Sequence, residues 1–397
     1  MLHNDIDTFS EKLRETPIEM RNRELAVARL EAVLARVDPK ARIHTFGSSA
    51  TGLRLPYGDV DLMIETRMID RSVLIKRLRR SLIDANVAGK ILALPKARVP
   101  IVKWVDRETG VQLDACFNHV DGLVTTAALA RAASTTPELR PLVLVLKSQL
   151  IMHGLNETVN GGVGGYLLAN MVRHVLALPP AHAQIHSSDS HIAHDSEAEH
   201  TPEEPEDLGG MLLRFYWYYG YKLDLSSSIV MSERGGAGVI CRPGTKGYMA
   251  HDHDQLSLSD PARPGNDLGA KAFRFQTVRR LLRLTYTKAI DQIARRDSIG
   301  AKAAPILSTI IPTWSRGDRY TRGGARKGQK ALLQMQNRRK KEEAQFEEHI
   351  RAAGEGHAAT ATAEFGDAGD REPFVNTTES MPLVSDPLWS AALRDRS

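Results

Sequence analysis

Hydrophobic residues recur with two different periods in the first third of the chain. In the segment DVDLMIE, residues 59–65, polar and apolar positions alternate strictly, so Asp59 and Asp61 share one face of a strand. Two further apolar runs are joined by the turn DRETG, which is typical of a β-hairpin. Elsewhere apolar positions recur every three or four residues, which indicates helices. The predicted strands are 43–46, 59–65, 100–105 and 111–115, and the predicted helices are 19–37 and 71–84.

From Leu139 onwards the pattern is mostly helical. The aromatic-rich helix at 208–219 is expected to be core, because surfaces that stack on RNA bases interleave aromatic with basic residues. The fold class is therefore α+β, and two segments poor in hydrophobic residues favour disorder. We expect a small mixed α/β domain at 1–130, a mostly helical domain at 131–312 with an acidic, His-rich insertion at 179–206, and a basic tail at 313–397.

The charge is distributed unevenly. Lys and Arg number 53 and Asp and Glu 48, a net charge of +5, but residues 181–207 hold eight acidic and no basic residues. Without them the balance is 53 − 40 = +13, which favours a polyanionic partner, nucleic acid first. No segment is apolar enough for a membrane span. Two cysteines and an N-terminus without an apolar signal core predict a reducing intracellular compartment.

Three carboxylates are the candidates for chemistry. Asp59 and Asp61 share a strand face, and Asp114 lies on the second strand of the hairpin. If these strands are neighbours, the three acids meet on one sheet face, where a divalent cation such as Mg²⁺ or Mn²⁺ is their natural partner. Upstream, Gly47 and Ser48 can approach a phosphate closely. The combination indicates metal-dependent chemistry on a nucleotide.

Several motifs resemble one enzyme family. The stretch FGSSATGLRLPYGDVDL resembles the signature of DNA polymerase β-like nucleotidyltransferases, and residues 1–312 further resemble the non-canonical nuclear poly(A) polymerases with a poly(A)-polymerase-associated domain. The motifs of that branch are LHNDI, RPLVLVLK, GLNETVNGGVGGY, DLGGMLLRFYWYYG and LSLSDP, in this order.

This resemblance implies a fold, a reaction and partners. Residues 1–130 would be the nucleotidyltransferase domain and 131–312 the central and poly(A)-polymerase-associated domain. The reaction would be template-independent transfer of adenylyl groups from ATP to RNA 3′ ends, in nuclear RNA processing and surveillance. Two Mg²⁺ ions would bind Asp59, Asp61 and Asp114, and Asp114 would lie nearest the attacking hydroxyl. The implied partners are a zinc-knuckle RNA-binding protein and an RNA helicase, and the implied location is the nucleus.

The resemblance also implies nucleotide contacts, residue by residue. Gly165 and Ile151 depart from the family, which usually has Ser at the first position and in some uridylyl-adding members Lys at the second. If Lys147 does not contact the nucleotide, it is a helix lysine that extends its ammonium to solvent. If Tyr166 does not contact the base, it is a tyrosine packed in the core. The implied contacts are Gly47, Ser48 and Lys147 to the triphosphate, Thr125 and Thr126 to the ribose, and Tyr166 to the base.

The base itself would be read by the loop LSLSDPARPGNDLG. Uridylyl-adding relatives carry a His six residues after the Asp of its Asp-Pro, and here Asn266 stands six after Asp260. An amide can offer adenine both a donor and an acceptor, which favours ATP over UTP. The alternative for this loop is a plain surface turn. The rival functions are a terminal uridylyltransferase and an inactive polymerase-like scaffold.

The basic segments 279–302 and 316–341 leave three interpretations open. They can follow RNA phosphates, lie on a solvated helix, or, for NRRKK at 337–341, act as a nuclear localisation signal. Histidines in the acidic insertion and the pair His251 and His253 are expected to be solvated and not metal ligands.

Overall fold

One five-stranded mixed sheet carries both acidic segments identified in the sequence. Its strands lie in the order β1 (Arg42–Phe46), β2 (Val60–Glu65), β5 (Gln112–Phe117), β4 (Ile101–Asp106) and β3 (Ala88–Leu94). β2 and β5 run parallel, whereas every other neighbouring pair is antiparallel. The predicted hairpin is confirmed as β4 and β5, and the edge strand β3 was not predicted.

Two helices cover one face of this sheet. Helix α2 (Pro17–Val37) begins with a capping box, in which the Thr16 hydroxyl accepts from the Glu19 N–H while the Glu19 carboxylate accepts from the Thr16 N–H. Its apolar side pairs with that of α4 (Arg71–Asp84). The inward-facing residues of the strands, among them Leu62 at 0% exposure, pack against both helices in one core. The opposite face, called the open face because neither of these helices covers it, carries the acidic residues of β2 and β5.

The remaining elements are mostly helical. An aromatic core lies here, with Tyr216 and Tyr219 fully buried and Phe275 packed edge-on against Tyr219. This confirms that the aromatic helix is core. The elements are α1 (Leu2–Lys12), α3 (Ser48–Thr51), α5 (Asp121–Thr135), α6 (Leu139–Met152), α7 (Gly165–Ala177), α8 (Leu208–Trp217) continued by a π-helix (Tyr218–Lys222), the ribbon β6 (Ile229–Ser232) and β7 (Gly238–Cys241), α9 (Phe275–Ile299), and α10 (Leu307–Ile310).

Two arginines of the basic helix α9 have structural partners. Arg279 donates to the carbonyl oxygens of Gly220 and Leu223, at 2.9 and 2.8 Å, and Arg283 donates to that of Gly220 at 2.5 Å. These carbonyls end the π-helix, where backbone acceptors lack helical partners. Both arginines thus stabilise the helix end, so an RNA contact of α9, one of the interpretations left open above, would depend on its other basic residues.

This computed structural model describes only part of the chain. The tail, the His251–His253 pair and residues 179–205 of the insertion lie outside the described residues, so the predictions made for them stay predictions. Glu206, placed at the end of that insertion, is instead ordered and pairs with Arg214 at 2.7 Å. No helix in the described part combines the length and hydropathy needed to cross a bilayer. The described residues are 1–178, 206–232, 238–241, 255–299 and 305–312, apart from 57, 69, 98 and 227.

Candidate active site

The three predicted carboxylates meet on the open face of the sheet. Asp61 of β2 and Asp114 of β5 are register partners on adjacent parallel strands, and Asp59 directly precedes β2. One ligand atom from each of the three acids can be chosen so that all lie within 4.8 Å of one another. The convergence inferred from strand alternation is confirmed, and the parallel pairing of β2 with β5 is what brings it about.

The carboxylates repel one another in a partly buried setting. Burial, with the charges of Asp59 and Asp114, raises the pKa of Asp61 from 3.8 to about 7. Burial also raises the pKa of Asp114. Lys147 of α6 also lies at the site. Burial lowers the pKa of its ammonium, and the charges of Asp59 and Asp61 partly oppose this shift. The site therefore holds a concentration of negative charge with a lysine ammonium beside it.

A second lysine lies at the site and was not predicted. Lys103 of β4 is the register partner of Asp114, and its ammonium forms an ion pair with Asp114 Oδ2. The sequence contains one signal for it, since Lys103 is the charged residue in the otherwise apolar run IVKWV. The run itself predicts only a strand. The contact of Lys103 with Asp114 depends on the register between β4 and β5.

The turn before α3 needs glycine at its first position. Gly47 has φ of 64°, and a Cβ there would lie 2.4 Å from Asp61 Oδ2. Its N–H donates to the Thr126 hydroxyl at 2.8 Å, and the Ser49 hydroxyl donates to the Asp59 carbonyl oxygen at 3.2 Å. The predicted GSSATG turn contains the single-turn helix α3, which is held against the carboxylates by these contacts. Ser48 is the first residue of α3, directly after Gly47.

The donor set suits a divalent cation. Three carboxylates supply hard oxygen ligands, which Mg²⁺ and Mn²⁺ prefer, and their mutual repulsion is relieved by a cation. Asp59, Asp61 and Asp114 are the residues that could hold it. Gly47 leaves open the space that a Cβ would take from Asp61. The residues therefore fit a divalent metal centre.

The predicted nucleotide-recognition residues form a connected network around Asp260, which is 2% exposed. Its Oδ1 accepts from the Tyr166 hydroxyl at 2.8 Å, and its Oδ2 accepts from the Asn266 side-chain amide at 2.8 Å. Burial raises the pKa of the Tyr166 phenol, and the neighbouring Asp260 adds to the effect. Asp260 thus connects α7, which carries the tyrosine, to the loop that carries the amide. This link was not predicted, although each residue was singled out.

The other candidates differ in how their side chains are engaged. The Thr125 hydroxyl donates to carbonyl oxygens of its own helix, whereas that of Thr126 supports Gly47. A Cβ added at Gly165 would meet no atom within 4 Å, so the family's serine would fit there. Arg263 of the loop forms an ion pair with Asp121 of α5 at 2.8 Å, so the loop contacts the first turn of that helix. The nucleotide contacts of the candidates themselves stay predictions.

Comparison with known proteins finds relatives among the poly(A) RNA polymerases. A family described as poly(A) RNA polymerase, mitochondrial-like, central palm domain matches residues 2–131. The inactive non-canonical poly(A) RNA polymerase protein Trf4-2 of Drosophila melanogaster is 31% identical over 318 residues, or 78% of this chain and 73% of the fly protein. Poly(A) RNA polymerase protein 1 of Saccharomyces cerevisiae is 25% identical over 282 residues, or 70% of this chain and 42% of the yeast protein.

Solved structures share the fold. The polymerase core of TRAMP, an RNA surveillance complex, superposes on this chain with a TM-score of 0.62 at 23% sequence identity. The matched region covers 80% of this chain and 90% of the TRAMP chain. The Cid1 poly(U) polymerase has a TM-score of 0.59 at 20% identity, covering 78% of this chain and 97% of its own. The relatives are longer, since this chain spans 35% of the poly(A) RNA polymerase CID14 of Cryptococcus neoformans. The chain belongs to the non-canonical poly(A) RNA polymerases and has the polymerase β-like nucleotidyltransferase fold.

Proposed function

We propose that this chain transfers adenylyl groups from ATP to the 3′ ends of RNA without a template and releases pyrophosphate. The observation that carries the proposal is the convergence of Asp59, Asp61 and Asp114 beside Lys147. The names of its relatives, poly(A) RNA polymerases of several fungi, support the same reaction. The reaction forms a bond between the RNA 3′ oxygen and the α-phosphorus of ATP and breaks the bond between that phosphorus and the β-phosphate oxygen.

The residues have distinct tasks in this reaction. Divalent cations, Mg²⁺ or Mn²⁺, bound by the three acids would neutralise the triphosphate and lower the pKa of the attacking hydroxyl. Asp114 takes the hydroxyl proton on a carboxylate oxygen. Lys147 and the Ser48 turn hold the triphosphate, so that the leaving pyrophosphate is stabilised by charge already in position. Most of the rate enhancement comes from positioning, because phosphoryl transfer leaves little covalent chemistry to the protein.

The network around Asp260 supports adenine selection. An ionised carboxylate only accepts hydrogen bonds, so Asn266 must turn its NH₂ group to Asp260 and its Oδ1 away from it. That oxygen can accept from the 6-amino group of adenine, whereas uracil offers a carbonyl at the matching position. A histidine-to-asparagine variant of the structurally similar Cid1 poly(U) polymerase has been crystallised with MgATP. Cytosine also carries an exocyclic amine, so CTP is the competitor that matters.

The shared fold and the charge of the chain also suggest its cellular role. We place the activity in nuclear RNA processing and surveillance, with RNA 3′ ends as substrate. A zinc-knuckle RNA-binding protein and an RNA helicase are the proposed partners. The support is the shared fold with the polymerase core of TRAMP, an RNA surveillance complex, and the excess of basic residues outside the acidic insertion. Zinc-knuckle proteins would supply RNA recognition that the described residues do not provide as a separate module.

One observation favours a second function. The fly relative at 31% identity is named an inactive polymerase, so an inactive scaffold that binds RNA or protein partners is the rival. All three carboxylates are present here and converge, and this favours the enzyme. The two functions differ in a single measurable property, the extension of RNA.

The test is an extension assay on the purified chain. A labelled oligo(A)-ended RNA is incubated with Mg²⁺ and each NTP separately, alone and with a zinc-knuckle RNA-binding partner. The expected result is a ladder with ATP that is absent in Asp59→Ala/Asp61→Ala and retained in the matched surface variant Asp84→Ala. Extension mainly by UTP or CTP would refute the adenine selection. RNA binding without extension under every condition would establish the scaffold.

A further inference from the structure

We propose that Lys103 is the counter-cation of the metal-free site, and that its ammonium must leave Asp114 Oδ2 before a divalent cation can bind there. Lys103 would therefore set the metal affinity of the site. This inference rests on the proposed function, because it takes Asp114 as a metal ligand. No motif of the sequence and no comparison assigns a role to this residue.

The sheet register places Lys103 at the carboxylates. One row of register partners crosses all five strands and consists of Leu92, Lys103, Asp114, Asp61 and Phe46, on β3, β4, β5, β2 and β1. Side chains of one row point to the same face of a sheet. The ammonium of Lys103 is therefore directed along the open face at Asp114 by the backbone, and directly contacts its carboxylate.

The charges show what this contact does. Three carboxylates meet, and Lys147 of α6 attracts two of them, Asp59 and Asp61. Lys103 balances them from the neighbouring strand β4, through its ion pair with Asp114. With all three acids ionised and no metal bound, the two lysines reduce the local charge from −3 to −1. A divalent cation would take over that task, so the Lys103 ammonium and the metal compete for the Asp114 carboxylate.

Exposure separates this contact from a structural ion pair. The side chain of Asp106 is 0% exposed, and its carboxylate accepts from Arg29 Nε and Nη2 and from the N–H and hydroxyl of Thr109. The side chain of Lys103, by contrast, is 41% exposed and that of Asp114 17%. A flexible lysine side chain at that exposure can swing into solvent without disturbing the core. The pair is thus suited to being opened.

The experiment measures metal binding directly, without turnover. Mn²⁺ is titrated into the metal-stripped full chain at pH 8 and followed by calorimetry and by the loss of the free Mn²⁺ electron paramagnetic resonance signal. The variants are Lys103→Met, Lys103→Arg, and Lys90→Met as a matched control on the exposed edge strand. Lys103→Gln replaces the Met variant if that one does not fold. Asp59→Ala/Asp61→Ala identifies the binding that belongs to the carboxylates.

Lys103→Met is expected to bind Mn²⁺ about three- to tenfold more tightly than the natural chain, as fits the loss of one competing, partly exposed ion pair. Lys103→Arg and Lys90→Met are expected to stay within about twofold of it, since the first keeps the competing charge and the second removes an exposed lysine that forms no described ion pair with the three acids. Equal or weaker binding by Lys103→Met would overturn the inference and leave the proposed function standing. Binding that the double Asp variant retains in full would overturn both.

Discussion

Replacing Asp61 by Asn is expected to stabilise the metal-free protein while abolishing extension. Asp61 lies partly buried between two other carboxylates, and this setting raises its pKa from 3.8 to about 7. An amide of nearly the same shape keeps the packing and removes one of three like charges. The difference in the free energy of unfolding between Asp61→Asn and the natural chain therefore measures how much the Asp61 carboxylate destabilises the metal-free fold.

The raised pKa gives both the size and the pH range of the effect. A group whose pKa is higher in the folded than in the unfolded chain favours folding in its protonated form. That contribution is fully present below about pH 4 and is lost as the pH rises through about 7. The shift of about three units corresponds to about 4 kcal/mol, and since the three acids share the repulsion we expect about 2–4 kcal/mol for Asp61→Asn at pH 8.

The assay is unfolding in EDTA at pH 5 and pH 8, by urea titration and thermal melting. The Asn variant should melt several degrees higher than the natural chain at pH 8 and by a clearly smaller margin at pH 5. Asp106→Asn is the matched control. Burial opposes the charge of Asp106, but hydrogen bonds from Arg29 and Thr109 hold its pKa below the ordinary value, so this variant should be destabilised. Equal stability of Asp61→Asn and the natural chain at pH 8, or an advantage of the same size at both pH values, would refute the reasoning.

Two further predictions concern the nucleotide side of the site. Gly165→Ser should lower the KM for ATP several-fold, whereas Gly165→Ala should leave this KM unchanged, because a Cβ there meets no atom within 4 Å and only the serine adds a hydroxyl at the start of α7. Steady-state kinetics at a fixed RNA concentration measure both variants, and an equal effect of the alanine would contradict the prediction. Asp260→Asn should raise the KM for ATP about tenfold and reduce the preference for ATP over CTP, because Tyr166 and Asn266 both lose the carboxylate to which they donate. If competition assays show an unchanged preference for ATP over CTP, the network does not position the Asn266 amide.

The sequence predicted the carboxylates because their signal is local. Strict alternation in DVDLMIE assigns Asp59 and Asp61 to one strand face, and the hairpin turn assigns Asp114 to another strand. Whether these strands are neighbours is a property of the sheet order, which pairs β2 in parallel with a strand some fifty residues away. The resemblance to a family supplied this step, because alternation alone cannot.

The residues missed at the site gain their roles from their partners. The hairpin of β4 and β5 is predicted, but its turn type, and with it the register that pairs Lys103 with Asp114, is not. The network around Asp260 is similar, because a turn residue gains its role from Tyr166, 94 positions earlier. The edge strand β3 was missed because its sequence, AGKILAL, lacks the alternation of polar and apolar residues that marks a half-exposed strand, although its residues alternate in exposure.

The cost of the carboxylate cluster bears on whether this chain is an enzyme or a scaffold. Family membership does not decide the question, since the fly relative is named inactive. Burial and repulsion oppose the ionised acids, and Gly47 adopts a backbone conformation that other residues avoid in order to leave room for Asp61. A scaffold has no use for either feature, because amide or apolar side chains in the same register would fold more stably. Their presence together is what a site retained for catalysis requires, and a gain in stability for Asp61→Asn that coincides with loss of extension would demonstrate this trade-off directly.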